Sequence, residues 1–497
     1  MKLWENIINK ASLGSGKEPL KSSDLPEIIE QEFALADSSD QEEDFLRFSS
    51  LVYQFRQAGW TPLNFKAITQ AECENEIKSY CSVKANGALK AILEEGVIPF
   101  LKLWLKLCAS RECCVAPEMI PELFEIASRR KELRKLILNV AGTRGEWLCQ
   151  LNPQWNFSSP SSDQNTIWQT GNPEERKELL RDLRASNPGE ALELLKTTWA
   201  TEGANEKLIY LEILRVNLSA SDLTWLEGLK EKGQKVNAYV LDLVKSIPTS
   251  AIVQEYSDLL KNAINIKKGK ALLGMINKTG LDVKEDVSIP DAIFKSGIEK
   301  LSSNKNVSDN QYILVQLISS VPPSFWNDHL QLSTEAIIQL FQKEKQTALF
   351  IPALAIASIK FKVVEWTKSI LDHGDDAIIN SAIPLMINSL PAKDRDGYAR
   401  KWFKEKPREI IQVMIEHEEE WSVDLAKSII QYTASEVYAY NRSFYRPAAT
   451  LIPLSILNSL DTFTPSEEQK KVYWKTQSDE LARLLTIKQQ TLQSFTA

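Results

Sequence analysis

Apolar residues recur every three to four positions along almost the whole chain, and this periodicity constrains the fold more than any other feature. Such spacing lines one face of an α-helix, whereas a period of two lines a strand. Alternating β-branched runs bounded by turn residues are scarce. The pattern is most regular from 172 to 263. "NPEERKELLRDLR" opens with Asn172 as N-cap and Pro173 in the first turn, and Leu179, Leu180 and Leu183 make its stripe. "NPGEALELLKTTW" repeats that start at Asn187 and Pro188, with Ala191, Leu194, Leu195 and Trp199 on one face. "NEKLIYLEILRV", "SASDLTWLEGLKEK", "QKVNAYVLDLVKSI" and "SAIVQEYSDLLKNAI" follow, joined by connections of a few residues. Helices this short are marginal alone, but stacked in antiparallel pairs they bury a continuous core. The expected fold is all-α: an irregular HEAT-like α-solenoid of antiparallel helix pairs, with N- and C-terminal helical regions.

At 497 residues the chain exceeds what one compact core supports. Its breaks suggest the division. "SSPSSDQNT", 158–166, is Ser/Pro-rich and reads as a linker, and "LSSNKNVSDN", 301–310, is a second polar break. The expected organisation is an N-terminal helical domain over 1–157, a linker and joint over 158–170, HEAT-like repeats over 171–300 and a C-terminal helical region over 301–497.

Several kinds of chemistry lack their residues. The three histidines, His329, His373 and His417, form no ligand pair at helical spacing. "GSGKE", 14–18, has glutamate where a phosphate loop places Ser or Thr, and reads as a turn. "LDHGDD", 371–376, reads as a helix closed at Gly374 with an aspartate capping the next. "EHEEE", 416–420, reads as a solvated helix end. All six cysteines lie between Cys73 and Cys149 without a CxxC pair, so reduced thiols are expected. No catalytic residue, metal site or cofactor is expected. "MKLWENIINK" has no apolar core of a secretory signal, and "GVIPFLKLWLKLCA", 96–109, is too short and too charged to span a bilayer. The expectation is a cytoplasmic chain without a membrane partner. A net charge of −7 gives no overall attraction to nucleic acid.

Two stretches stand apart. "YAYNRSFYRP", 438–447, interleaves Tyr438, Tyr440, Tyr445 with Arg442 and Arg446. Such a patch stacks on nucleic acid, anchors a protein, or forms a buried aromatic layer with arginines reaching outward. "AGTRGEWLCQLNPQWNF", 141–157, follows a helix expected over 129–140. Gly142 is placed to take positive φ and end that helix, and Gly145 to turn the chain again. Trp147, Leu148 and Leu151 are spaced to share a face, and Asn152 before Pro153 stops the second helix. Gly142, Gly145, Trp147, Pro153 and Trp155 thus read as a structural joint locking the N-terminal helices onto the array. Arg144 is left over, a candidate for an interaction surface.

"WLKLCASRECCVAPEMIPELFEIA", "LRKLILNVAGTRGEWLCQLNPQW", "TGNPEERKELLRDLRASNPGEALELLKTTWATE", "YILVQLISSVPPSFW" and "EWSVDLAKSIIQYT" together resemble an uncharacterised bacterial domain-of-unknown-function family of HEAT-like proteins. Where that family shows acidic residues and an arginine in the helix pair "LSxxDExFLExLLDDRSxxVR", this chain reads "SDLTWLEGLKEKGQKVN". The resemblance implies a helical-repeat fold and no assigned enzyme activity. Its members are often encoded beside MoxR-type AAA+ ATPases, von Willebrand factor A domain proteins and SWIM zinc-finger proteins. The expected function is a non-catalytic protein-interaction scaffold, an accessory of such an AAA+/von Willebrand factor A system. The alternative is a HEAT-like nucleic-acid-binding or DNA-repair protein.

Overall fold

A computed structural model describes residues 2–14, 27–34, 40–59, 72–155, 157, 164–271, 276–284 and 287–496. Of the linker and joint expected over 158–170, residues 158–163 lie outside the described residues, as does the "GSGKE" turn beyond Gly14, while 164–170 form not a linker but the helix Gln164–Thr170 with Trp168 buried. The chain is mostly helical. It divides into two compact units, Met1–Cys73 and Glu74–Ala497.

The first unit holds helices Lys2–Leu13, Glu27–Ala34 and Gln41–Ala58 around a small core of Ile7, Ile29, Phe48 and Val52. Asp40 caps the third helix by accepting from the Glu42 amide at 2.9 Å, and Glu42, Glu43 and Asp44 put negative charge on its positive end.

In the second unit, the Asn-Pro starts form as the sequence implies. Asn172 accepts from the amides of Glu174 and Glu175 while Glu175 accepts from the Asn172 amide, a complete capping box on the helix Pro173–Ser186. Asn187 caps Pro188–Thr198 by accepting from the Glu190 amide at 3.4 Å. From Pro173 to Val244 each helix packs on the next but one, and Pro173–Ser186 with Pro188–Thr198 and Ala220–Gly228 with Gln234–Val244 also pack as neighbours. Their apolar stripes make a separate core that includes Trp168, Leu180, Leu195, Leu211, Leu226 and Leu243.

The larger core joins residues 81–157 to residues 256–495. The helix Glu468–Ser494 packs on Val83–Glu95 and reaches Ile98–Ser110. Trp104 meets Phe495 edge-on at 5.5 Å, and Glu418 bridges Lys102 and Lys106 at 2.8 and 2.9 Å. The two ends of the second unit therefore pack on each other, which an open stack with neighbour-only contacts does not do.

Among the described residues one β-hairpin interrupts a chain that is otherwise helical, as the all-α expectation has it. β1 (Ile264–Ala271) pairs antiparallel with β2 (Ile276–Val283). The register sets Ile264 opposite Val283 and Ile266 opposite Leu281, so all four share one face and pack against the large core. This alternation is too brief to stand out in the sequence, and an isolated two-stranded hairpin is marginal without such packing. Residues 267–270, the basic run Lys-Lys-Gly-Lys, lie on β1.

Candidate functional site

The "AGTRG" stretch sits where three distant segments converge. Val115 donates to the Val140 carbonyl at 2.9 Å, Cys114 to Ser79 at 2.8 Å and Cys81 to Cys114 at 2.8 Å. Gly142 takes φ +62 and ψ −167 and kinks the helix Arg134–Leu151. The positive φ is as expected, but the helix resumes beyond the kink. Its start also differs: the 129–140 helix is broken at Arg130, where φ −127 and ψ 91 precede a short 3-10 turn. The side of Gly142 that a Cβ would occupy is filled. A methyl there would run into the Glu76 carboxylate and lie 2.7 Å from Cys114 Sγ.

Glu76 accepts from the Thr143 hydroxyl at 3.2 Å and from the amides of Ile77 and Lys78 at 3.1 and 3.4 Å. Burial opposes its charge, but these donors and the Cys114 thiol outweigh it, so the carboxyl titrates below its ordinary range. Burial is also the main reason that the Cys114 thiol is pushed up to about 11.

Gly145 makes no second turn. It is buried inside the helix, where a Cβ would collide with Ala141 and come within 3.3 Å of Phe124. Trp147 is half-buried and Leu148 packs on the core, but Leu151 faces solvent, because the helix ends one residue later at Asn152. Pro153–Trp155 is a 3-10 turn. Trp155 donates to Glu125 at 3.2 Å and stands edge-on to Phe124 at 5.5 Å, and Phe157 meets the same ring at 5.6 Å. The lock thus ties the helix Ile120–Arg129 to Arg134–Leu151 within one core, rather than wedging both against the repeats. Toward the repeats the same helix sends Lys135, which pairs with Asp182 at 2.6 Å. Arg144 is exposed and makes no ion pair among the described residues.

The 438–447 stretch separates into three layers. Tyr445 is fully buried and donates to Thr433 at 2.8 Å, with burial pushing its phenol well above the ordinary value. Tyr440 lies between Tyr432 and Phe444 at 5.9 and 4.9 Å. Tyr438 is outermost, 60% exposed, and meets Tyr473 edge-on at 5.2 Å.

The arginines face inward charges. Arg446 reaches Glu95 at 3.1 Å and Glu480 at 3.6 Å, and Arg442 reaches Glu480 at 3.0 Å and Glu95 at 3.8 Å. Arg483 joins both glutamates, at 2.8 Å to Glu95 and 2.6 Å to Glu480. The Arg483 bond, more than burial, decides that Glu95 titrates below its ordinary range. Three arginines around two carboxylates bind the end of Val83–Glu95 to Arg442–Ala448 and Glu468–Ser494.

A buried ion pair was not legible beforehand. Arg184 is wholly buried and all five of its N–H groups are used. They bond Val216, Pro188 and Leu214 carbonyls at 3.0, 2.9 and 3.0 Å and both oxygens of Asp222 at 2.9 and 3.1 Å. Asp222 in turn accepts from the Ser219 amide at 3.0 Å. The available signal was an arginine directly following Leu183 on a stripe whose other members are apolar.

The sequence pattern of a family of unknown function, DUF5691, matches residues 6–495. The chain belongs to this family. No curated protein and no solved structure matches it. Membership of DUF5691 spans both compact units and brings no assigned chemistry. Among the described residues no group of three or more His, Cys, Asp or Glu could hold a metal ion, and no helix is long and apolar enough to cross a membrane.

Proposed function

We propose that this protein is a non-catalytic interaction scaffold of HEAT-like helix pairs, an accessory of a bacterial AAA+ ATPase/von Willebrand factor A assembly in the cytoplasm. The observation that carries the reading is the outer aromatic layer. Tyr438 and Tyr473 are more than half exposed and edge-on to each other, with Val472 71% exposed beside them. Exposed aromatics are among the residue types that dominate protein interfaces. A protein rather than a nucleic acid is favoured because Arg442 and Arg446, the cations of this stretch, are paired with Glu95 and Glu480.

The test is direct binding of the full chain to the purified MoxR-type ATPase and the von Willebrand factor A protein encoded with it. The double variant Tyr438→Ala/Tyr473→Ala should keep the wild-type helical spectrum and weaken that binding at least tenfold. Unchanged binding, or binding of DNA at physiological salt that the two substitutions abolish, would overturn the reading.

A further inference from the structure

Three thiols gather beside the glycine joint. Cys81 precedes Ser82, the N-cap of Val83–Glu95, and Cys108 sits in the last turn of Ile98–Ser110. Their sulfurs are 3.1 Å apart, 27 positions apart in the chain. Both side chains are buried, Cys81 retaining 8% exposure. The backbone holds this approach. Cys81 is bonded through its amide to Cys114 and through its carbonyl to Asn86 Nδ2 at 3.1 Å. Beyond Cys108, Glu112 takes φ +54, which turns the chain back so that the Cys113 amide reaches the Cys108 carbonyl at 3.2 Å. The Cys108 thiol donates to the Cys113 carbonyl at 3.2 Å, and the half-buried Cys113 thiol donates to the Arg111 carbonyl at 3.3 Å.

We propose that Cys81 and Cys108 form an oxidation site that takes a hydroperoxide and closes to a disulfide, with Cys81 the attacking sulfur and Cys108 the resolving one. The covalent S–S distance is about 2.05 Å, so the sulfurs need to approach by only about 1 Å. The hydrogen bond from the Cys108 thiol is the main cause that lowers the Cys81 thiol, outweighing burial, and Cys113 adds to it. The thiolate is the nucleophile, and Cys81 is the residue of the pair that keeps exposure to solvent while Cys108 keeps none, so a peroxide reaches Cys81 first.

In that step Cys81 sulfur attacks the terminal peroxide oxygen. An S–O bond forms, the O–O bond breaks, and the leaving alkoxide or hydroxide takes a proton from solvent. Cys108 sulfur then attacks the Cys81 sulfenic acid. The S–S bond forms, the S–O bond breaks, and water departs with the Cys108 proton. Two thiols lose two electrons and the peroxide is reduced to an alcohol or water and one water.

Trypsin separates the candidates, since Cys81, Cys108 and the Cys113/Cys114 pair fall on peptides 79–84, 107–111 and 112–129. The full folded chain, treated with hydrogen peroxide and then alkylated, should yield 79–84 joined to 107–111. The melting temperature should rise with the link, because it closes a loop in the unfolded chain, and should return on reduction. Cys108→Ser should stop Cys81 at a sulfenic acid that dimedone traps, and Cys113→Ser should still form the link. A disulfide or sulfinate carried first by 112–129, or a link that forms only in denaturant, would overturn the proposal. The cross-linked peptide and the melting shift come from the unsubstituted chain, so neither depends on a variant folding.

Discussion

At Gly142 the backbone combination φ +62, ψ −167 is one that side chains other than glycine's essentially never adopt, and the space beside it is already held by Glu76 and Cys114. Gly142→Ala should therefore cost on the order of 2–4 kcal/mol, from backbone strain plus displacement of the carboxylate. Gly87, inside Val83–Glu95 with open space around it, is the control. Gly87→Ala should stabilise by about 0.5–1 kcal/mol by restricting the unfolded chain. Urea midpoints of the two variants should move in opposite directions. The Arg184–Asp222 pair supports a second expectation. Arg184→Leu leaves Asp222 buried without its cation and should cost about 3–5 kcal/mol, whereas Arg184→Leu/Asp222→Leu should recover most of that loss. A double-mutant cycle in urea measures the coupling, and a double variant less stable than the single would count against the account.

Elements are held to one another by charge as well as by apolar area. Glu418, which follows the helix Pro407–Glu416, bridges Lys102 and Lys106 of Ile98–Ser110. The Lys102 hydrogen bond first, then that of Lys106, bring its carboxyl from an ordinary 4.5 down to about 2. A depressed carboxyl adds stability that is full above its unfolded value and lost as pH falls through the folded one. The contribution should therefore be complete at pH 5 and fade toward pH 2. Glu418 is more than half exposed, so the effect is modest and salt-sensitive. Thermal melts across that range should show a smaller acid loss for Lys102→Gln/Lys106→Gln than for the wild type. An identical slope would show that the bridge contributes nothing. Element by element, the helix starts at Asn172 and Asn187 were legible because a cap involves only four consecutive residues. The hairpin was not, because its two short strands depend on packing against residues far away.

For the second compact unit taken whole, the packing of Glu468–Ser494 on Val83–Glu95 makes its two ends interdependent. Lys488 illustrates the depth of that contact. Its ammonium is buried and bonded to the Ile452 carbonyl at 2.7 Å and to Glu420, with burial as the main reason that its charge is held less firmly than usual. In an open array, deleting a terminal helix subtracts one repeat and leaves the others folded. Here, truncation before Glu468 should expose Trp104 and its neighbours and lower the midpoint of the entire larger core. Hydrogen exchange would check this: lost protection across 83–110 supports the closed arrangement, and loss confined to residues next to the cut refutes it.

What the sequence determined by itself was local: helical periodicity, the Asn-Pro helix starts, the capped stop at Gly374 and Asp375, and the positive φ at Gly142. Each depends on sterics or hydrogen bonds within a few residues, which composition and spacing carry. The tertiary structure alone decided that Arg442 and Arg446 face Glu95, that Gly145 serves packing and not a turn, and that Cys81 meets Cys108. Those outcomes depend on which distant groups share a low-dielectric or close-packed space, and a one-dimensional pattern does not encode that meeting.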